Sequence, residues 1–332
     1  MEEEDLEAVD DDDDDDLVTH VLTENEMLNE GLLLADYTQH ERCSEATNYS
    51  RFKSKFGVSP VVMCLLYEDL QKSTAEDTTV NPPRSMRMEG SLMNLKWLLR
   101  TMMYLRKYPL ENDFETFFSL TARYARGQIW ETIEKIRYLK SKKITWPDDL
   151  GFEDIWILTV DGTHVWIEEP SGQFDSKYWS HKFNKAGVNF ELGIAISSGK
   201  LIWMNGPFKA GRSDKTIFVE DGLKERLLGL GKKAIGDKAY SGHKEAISIP
   251  NQFDSYGVKK FKSRALKRHE AFNGMTKAFH ILSGRFRHGV GKIGSAFESV
   301  AVICQYKIET DEPLFDVLVE DIVNYDELEE NE

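Results

Sequence analysis

Three carboxylates stand out by their settings. Asp161, in "TVDGTH", follows directly on the apolar run "IWILTV" (155–160). Asp237, in "IGDKAY", follows the short run "KAIG" (233–236). Each acid therefore emerges where a buried strand runs out. Glu270 is the only acid between Ser255 and Phe297, a stretch that holds ten lysines and arginines. In α/β sheets ligands collect near strand ends, and two carboxylates brought together there repel each other. A divalent cation removes that repulsion, and hard oxygen donors suit Mg²⁺ or Mn²⁺. Two such ions roughly 3.5–4 Å apart can activate an attacking oxygen and stabilise a leaving one in phosphodiester cleavage. In that chemistry Asp161 and Asp237 bridge the ions and Glu270 completes the second. Lys259, Lys260, Lys262, Arg264, Lys267, Arg268, Lys277, Arg285 and Arg287 are then the cations that hold DNA by its backbone.

Each acid also has a plainer reading. Asp-Gly is a common turn, Asp237 suits a cap for the following turn, and Glu270 has Lys267 and Arg268 beside it for pairing. The order of the three, two at strand ends and one in a basic helix, is more specific than any member alone.

The elements that must position these acids read as a mixed α/β sheet. Three strands come first: "IWILTV", then "VNFELGIAI" (188–196) and "KLIWMN" (200–205) as a hairpin. Helical spacing of Val219, Leu223, Leu227 and Leu230 follows, then strand 233–236, predicted beside the first. The basic segment around Glu270 reads as helix. Strand, strand, strand, helix, strand, helix is the order of an RNase H-like fold. Upstream, residues 17–83 read as helical pieces ending at a break in "NPPRS". Helices over 92–108, around Phe114 and around Ile129–Ile136 follow, the last carrying Arg123, Arg126, Lys135, Arg137 and Lys140. Two helices and then a longer basic one suit a helix-turn-helix, and equally a plain bundle. The expected organisation is an acidic tail (1–16), a helical, helix-turn-helix-like region (17–150), a sheet domain (151–307) and an acidic C-terminal tail (308–332).

The net charge of −15 belongs to the ends: residues 1–16 carry twelve acids and residues 308–332 eleven, with no base in either. The remaining 17–307 is basic, at +8. A basic body with acidic tails points to nucleic acid as partner and to tails disordered by self-repulsion. No apolar run approaches membrane-spanning length, and the acidic start is the reverse of a secretory signal. Cys43, Cys64 and Cys304 form no zinc or disulfide spacing. "GVGKIG" (289–294) follows no predicted strand, which excludes a dinucleotide site.

The segments "VDGTHVWIEEP", "GPFKAGRSD", "AIGDKAYSG" and "SRALKRHEAFNGMTKAFHILSGRFRHG" together resemble the DDE-type nuclease domain of PIF/Harbinger-like transposases and their host-adopted relatives. The resemblance covers about 150–307 and extends more weakly to the helical region. It implies that the family's acids fall on Asp161, Asp237 and Glu270. Asp214 in "AGRSD" is an alternative second ligand, and His164 a substrate-facing or supporting residue. It further implies two Mg²⁺ or Mn²⁺ ions and cut-and-paste transposition, in which hydrolysis at element ends is followed by attack of the freed 3′-hydroxyl on target DNA. A separate Myb-like DNA-binding protein, a homodimer and nuclear residence are expected with it. The competing class is a domesticated, catalytically silent protein that keeps DNA or chromatin contact.

Overall fold

The computed structural model describes residues 22–76, 94–118, 120–147, 155–169, 175–182 and 184–323. The acidic run 1–16, the break at "NPPRS" and most of the linker before the first strand lie outside them.

Among the described residues the N-terminal region has seven α-helices: α1 (Glu24–Leu34), α2 (Glu45–Phe56), α3 (Pro60–Glu76), α4 (Leu95–Lys107), α5 (Phe114–Phe118), α6 (Ala122–Tyr138) and α7 (Lys140–Lys143). Their starts are written in the sequence. Thr23 and Glu26 close a capping box on α1, Ser44 caps α2, and Asn94 accepts from the amides of Lys96 and Trp97. Helix α6 buries Ile129, Trp130, Ile133 and Ile136. Four of the five cations named on and just after this helix are in ion pairs: Arg126 with Glu111, Lys135 with Glu131, and Arg137 and Lys140 both with Glu298.

The sheet is built from β1 (Trp156–Trp166), β2 (Trp179–Ser180), β3 (Lys185–Ala195), β4 (Leu201–Lys209), β5 (Lys233–Ile235) and β6 (Ile247–Ser248). Its long path runs β4-β3-β1-β5-β6, with the two-residue β2 also on β3. Strands β1 and β3 are antiparallel, as are β3 and β4, while β1–β5 and β5–β6 are parallel. The expected hairpin and the expected neighbour of the first strand are both present. The single helix expected over 219–230 is two, α8 (Asp214–Glu220) and α9 (Leu223–Leu230). Between them Gly222 takes φ +99°, a conformation that ends one helix and that side chains resist.

Two long helices cover one face of the sheet. Helix α10 (Tyr256–Lys277) is capped by Ser255 and lies on β1 and β5, with Phe261 and Ala265 against Ile235. After the short α11 (His280–Ser283), α12 (Ile293–Thr310) brings Phe297 flat onto Phe190 of β3, ring centroids 3.8 Å apart. Helices α8 and α9 cover the other face, packing Phe218, Leu223 and Leu227 on Leu158, Val160 and Ala234. Because α12 also packs on α6 and α3, one core runs unbroken from Met27 and Leu98 through Val300 to Leu192.

The acidic C-terminal segment is not loose over its first half. Val317 is buried against Phe261 and Ala265, Arg264 donates to the Asp316 carbonyl, and Glu312 pairs with Lys53 and Lys307. Alternating apolar residues within an acidic stretch give it a face to bury. Residues 324–332 lie outside the described residues.

Candidate active site

Register decides which acids meet. Thr159 of β1 pairs with Ile235 of β5 in the parallel ladder. Two residues further along each chain come Asp161 and Asp237, and Asp237 is still extended (φ −80°, ψ −174°). Side chains two apart on a strand share a face. Thr159 meets His269 of α10 at 2.9 Å and Ile235 packs on Phe261 of the same helix. Asp161 and Asp237 are therefore neighbours on the face that α10 covers. One Asp161 oxygen accepts from the Gly162 amide (2.8 Å) and the other from Nδ2 of Asn273 (3.1 Å). Asp237 is exposed and accepts from the Ala239 amide at 2.8 Å.

Burial pushes the Asp161 carboxyl up from 3.8 to about 6; nearby Lys182 and the Gly162 amide oppose this, and the negative charges of Asp214 and Asp237 add to it. Glu270 is exposed on α10 and takes neither Lys267 nor Arg268; among the described residues its carboxylate has no hydrogen-bond or ion-pair partner. It lies one helical turn before Asn273, on the same side of the helix. Among the described residues no three His, Cys, Asp or Glu side chains converge closely enough to hold a metal ion. Asp161 and Asp237 supply the hard, mutually repelling oxygens that a divalent cation fits. Glu270 does not close them into a cage.

Asp214 approaches β1 from the opposite face, and its charge still reaches Asp161. A Cβ at Gly162 would overlap the Asp214 carboxylate, and Gly162 points to the opposite face of β1 from Asp161. Asp214 accepts from Nδ2 of Asn189 at 2.6 Å, while the cap of α8 is Ser213 rather than Asp214. On that same rear face Glu191 sits opposite Gly162 in the β1–β3 ladder. It is buried and accepts from Trp203 Nε1 at 2.9 Å, with its other oxygen unpartnered. Burial raises its carboxyl to about 7, against the Trp203 bond and with help from Asp214 and Asp221. His164 is also on this side, its Nδ1 2.8 Å from Ser180 Oγ; burial lowers its pKa.

The nine expected DNA contacts divide. Lys259, Lys260, Arg264, Lys267 and Arg285 are exposed. Lys262 is buried on Asp254 (2.8 Å) and the Ile249 carbonyl. Arg268, 2% exposed, donates to the carbonyls of Ala195 and Ile196, at 2.8 Å each. Lys277 reaches the carbonyls of His164 and Leu282, and burial lowers its ammonium to about 8. Arg287 holds the carbonyls of Tyr108 and Pro109, both at 2.6 Å. These four answer carbonyls or acids inside the fold. A 22-residue helix lying on a sheet must turn one side inward, so a run of cations along it cannot all face solvent.

Asn273, Lys182 and Glu191 carry no signal strong enough to read from sequence. The spacing of Asn273, three residues after Glu270, is the signal that places it on the same side of the helix. No helix among the described residues is long and apolar enough to cross a membrane. No curated protein and no solved structure matches the chain. Residues 160–305, which hold Asp161, Asp214, Asp237 and Glu270, match the family model of the DDE superfamily endonucleases.

Proposed function

We propose that this chain is a metal-dependent DNA endonuclease of the transposase type, Harbinger-like, acting on DNA in the nucleus. The carrying observation is the shared register and face of Asp161 and Asp237, beside the helix that bears Glu270. Strand order supports the RNase H-like reading: β1, β3, β4, then helix, β5 and α10, with only β3 running against the other long strands.

On this reading Asp161 and Asp237 hold the divalent ions, with Glu270 as the third carboxylate. A bound divalent ion of this kind offsets the carboxylate charge, acidifies water and draws charge from a phosphate. The protein's own part is orientation. Asn273 and the Gly162 amide fix both oxygens of Asp161, and the crowding that raises its pKa is relieved when positive charge arrives. Lys259, Lys260, Lys267 and Arg285 face solvent and are placed to meet phosphates; Arg264 is exposed but already holds the Asp316 carbonyl. Asp161→Asn or Asp237→Asn is expected to abolish Mg²⁺- or Mn²⁺-dependent nicking while DNA affinity is kept. Metal-dependent nicking that survives in both variants would refute the assignment.

A further inference from the structure

A second cationic site lies away from the acids, where the helical region meets the end of the sheet domain. It is a pocket of about 560 Å³ whose walls include Lys107, Tyr108, His280, Ser283, Arg285 and Arg287. No acid lines it. Among the described residues the carboxylate that reaches its cations is Glu168, 4.0 Å from Arg285, with both side chains at least half exposed. Such a pair contributes little.

The other cations lining it have no acid paired with them among the described residues. Lys107 has no ion-pair partner among the described residues, and burial lowers its ammonium, with Arg106 and Lys55 adding like-charge repulsion. Arg287 is fixed by the carbonyls of Tyr108 and Pro109 and lies 3.9 Å from the centre of the Tyr108 ring. Its charge is thus anchored at the pocket without being neutralised by an acid. Like charges held together raise the energy of the free protein, and an anion with several oxygens would offset that.

Position tells which anion. Phe286, between the two arginines, donates its amide to the Trp166 carbonyl at 2.8 Å and bridges to Ile167, so the pocket caps the end of β1. Asp161 is six residues before Ile167 on the same chain. At about 3.3 Å per residue that is roughly 20 Å, or about six base pairs of duplex along its axis.

We propose that this pocket grips a backbone phosphate of double-stranded DNA about six base pairs from the phosphodiester presented to Asp161 and Asp237. The proposal rests on the DNA-cleaving reading and adds a contact shared by the helical region and the sheet domain. It is tested with Lys107→Ala combined with Arg285→Ala, since neither residue belongs to the acid cluster. Binding to a duplex of about 30 base pairs is measured in EDTA over a range of salt, where each phosphate contact contributes about −0.9 to the slope of log K against log salt. The double variant is expected to lose about 0.9 in that slope and roughly tenfold in affinity at moderate salt. Lys107→Arg with Arg285→Lys is expected to keep both, and all three proteins to melt alike. An unchanged slope in the alanine variant, with the parent protein binding normally, overturns this pocket alone. A parent protein that binds no duplex at all overturns the DNA reading and this proposal together.

Discussion

Glu191→Gln should stabilise this protein, and only at neutral to alkaline pH. Glu191 is 1% exposed, with one oxygen on Trp203 and the other unpartnered. Its carboxyl is raised from 4.5 to about 7 by burial first, with Asp214 and Asp221 adding to the shift. A folded-state pKa above the unfolded value means that the fold favours the protonated acid. Stability is therefore fully present below about 4.5 and is lost as pH rises through about 7. With these values the loss is under about 1 kcal/mol at pH 5 and about 3 kcal/mol at pH 8. Glutamine keeps the shape and an acceptor for Trp203 but never ionises. Urea unfolding of both proteins in EDTA should give a gain of about 3 kcal/mol for the variant at pH 8, shrinking to under about 1 at pH 5. A variant no more stable than the parent at pH 8 would refute the reasoning. The buried acid would then have compensation that Trp203, Asp214 and Asp221 do not provide.

Asn273→Ala removes the side-chain donor to Asp161 and should slow single-turnover nicking by roughly 10- to 100-fold with DNA affinity unchanged. Asn273→Asp, which adds a like charge, should slow it further. Arg268→Ala leaves the Ala195 and Ile196 carbonyls without their guanidinium and should cost about 3 kcal/mol in urea unfolding, whereas Lys267→Ala on the exposed face should change stability by less than about 0.5 kcal/mol. Truncation after Thr310 uncovers Phe261 and Ala265 by removing Val317, and should cost about 2 kcal/mol or more; a fully extended acidic tail would show no loss.

The strands were legible where burial on both faces leaves an apolar run, but β1 does not stop with its run: it continues through Asp161, paired with Leu192, to Trp166, so Asp161 stands mid-strand and only Asp237 follows a strand end. Register was not legible. Only the pairing of Thr159 with Ile235 tells that the two acids are abreast and turned toward α10, and that Asp214 approaches β1 from behind. The cations of α10 were legible in number and not in direction. Along its buried side, Phe261, Ala265 and Phe272 leave a gap that Arg268 and His269 fill. The sequence there reads as solvent-facing. At the end of β3, however, the Ala195 and Ile196 carbonyls take the buried Arg268 as donor, so a charged residue is the one that packs. His269 is buried in the same row, its pKa lowered to about 3, and as a neutral ring it meets Thr159. The same physics separates Glu270 from its neighbours. Carbonyls inside the fold take up Arg268 and Lys277, whereas the exposed Glu270 is given no donor, and its helix runs beside a carboxylate pair already short of positive charge. An acid left unpaired among cations is accounted for by a positive partner arriving from solution, which is the condition Asp161 and Asp237 also set.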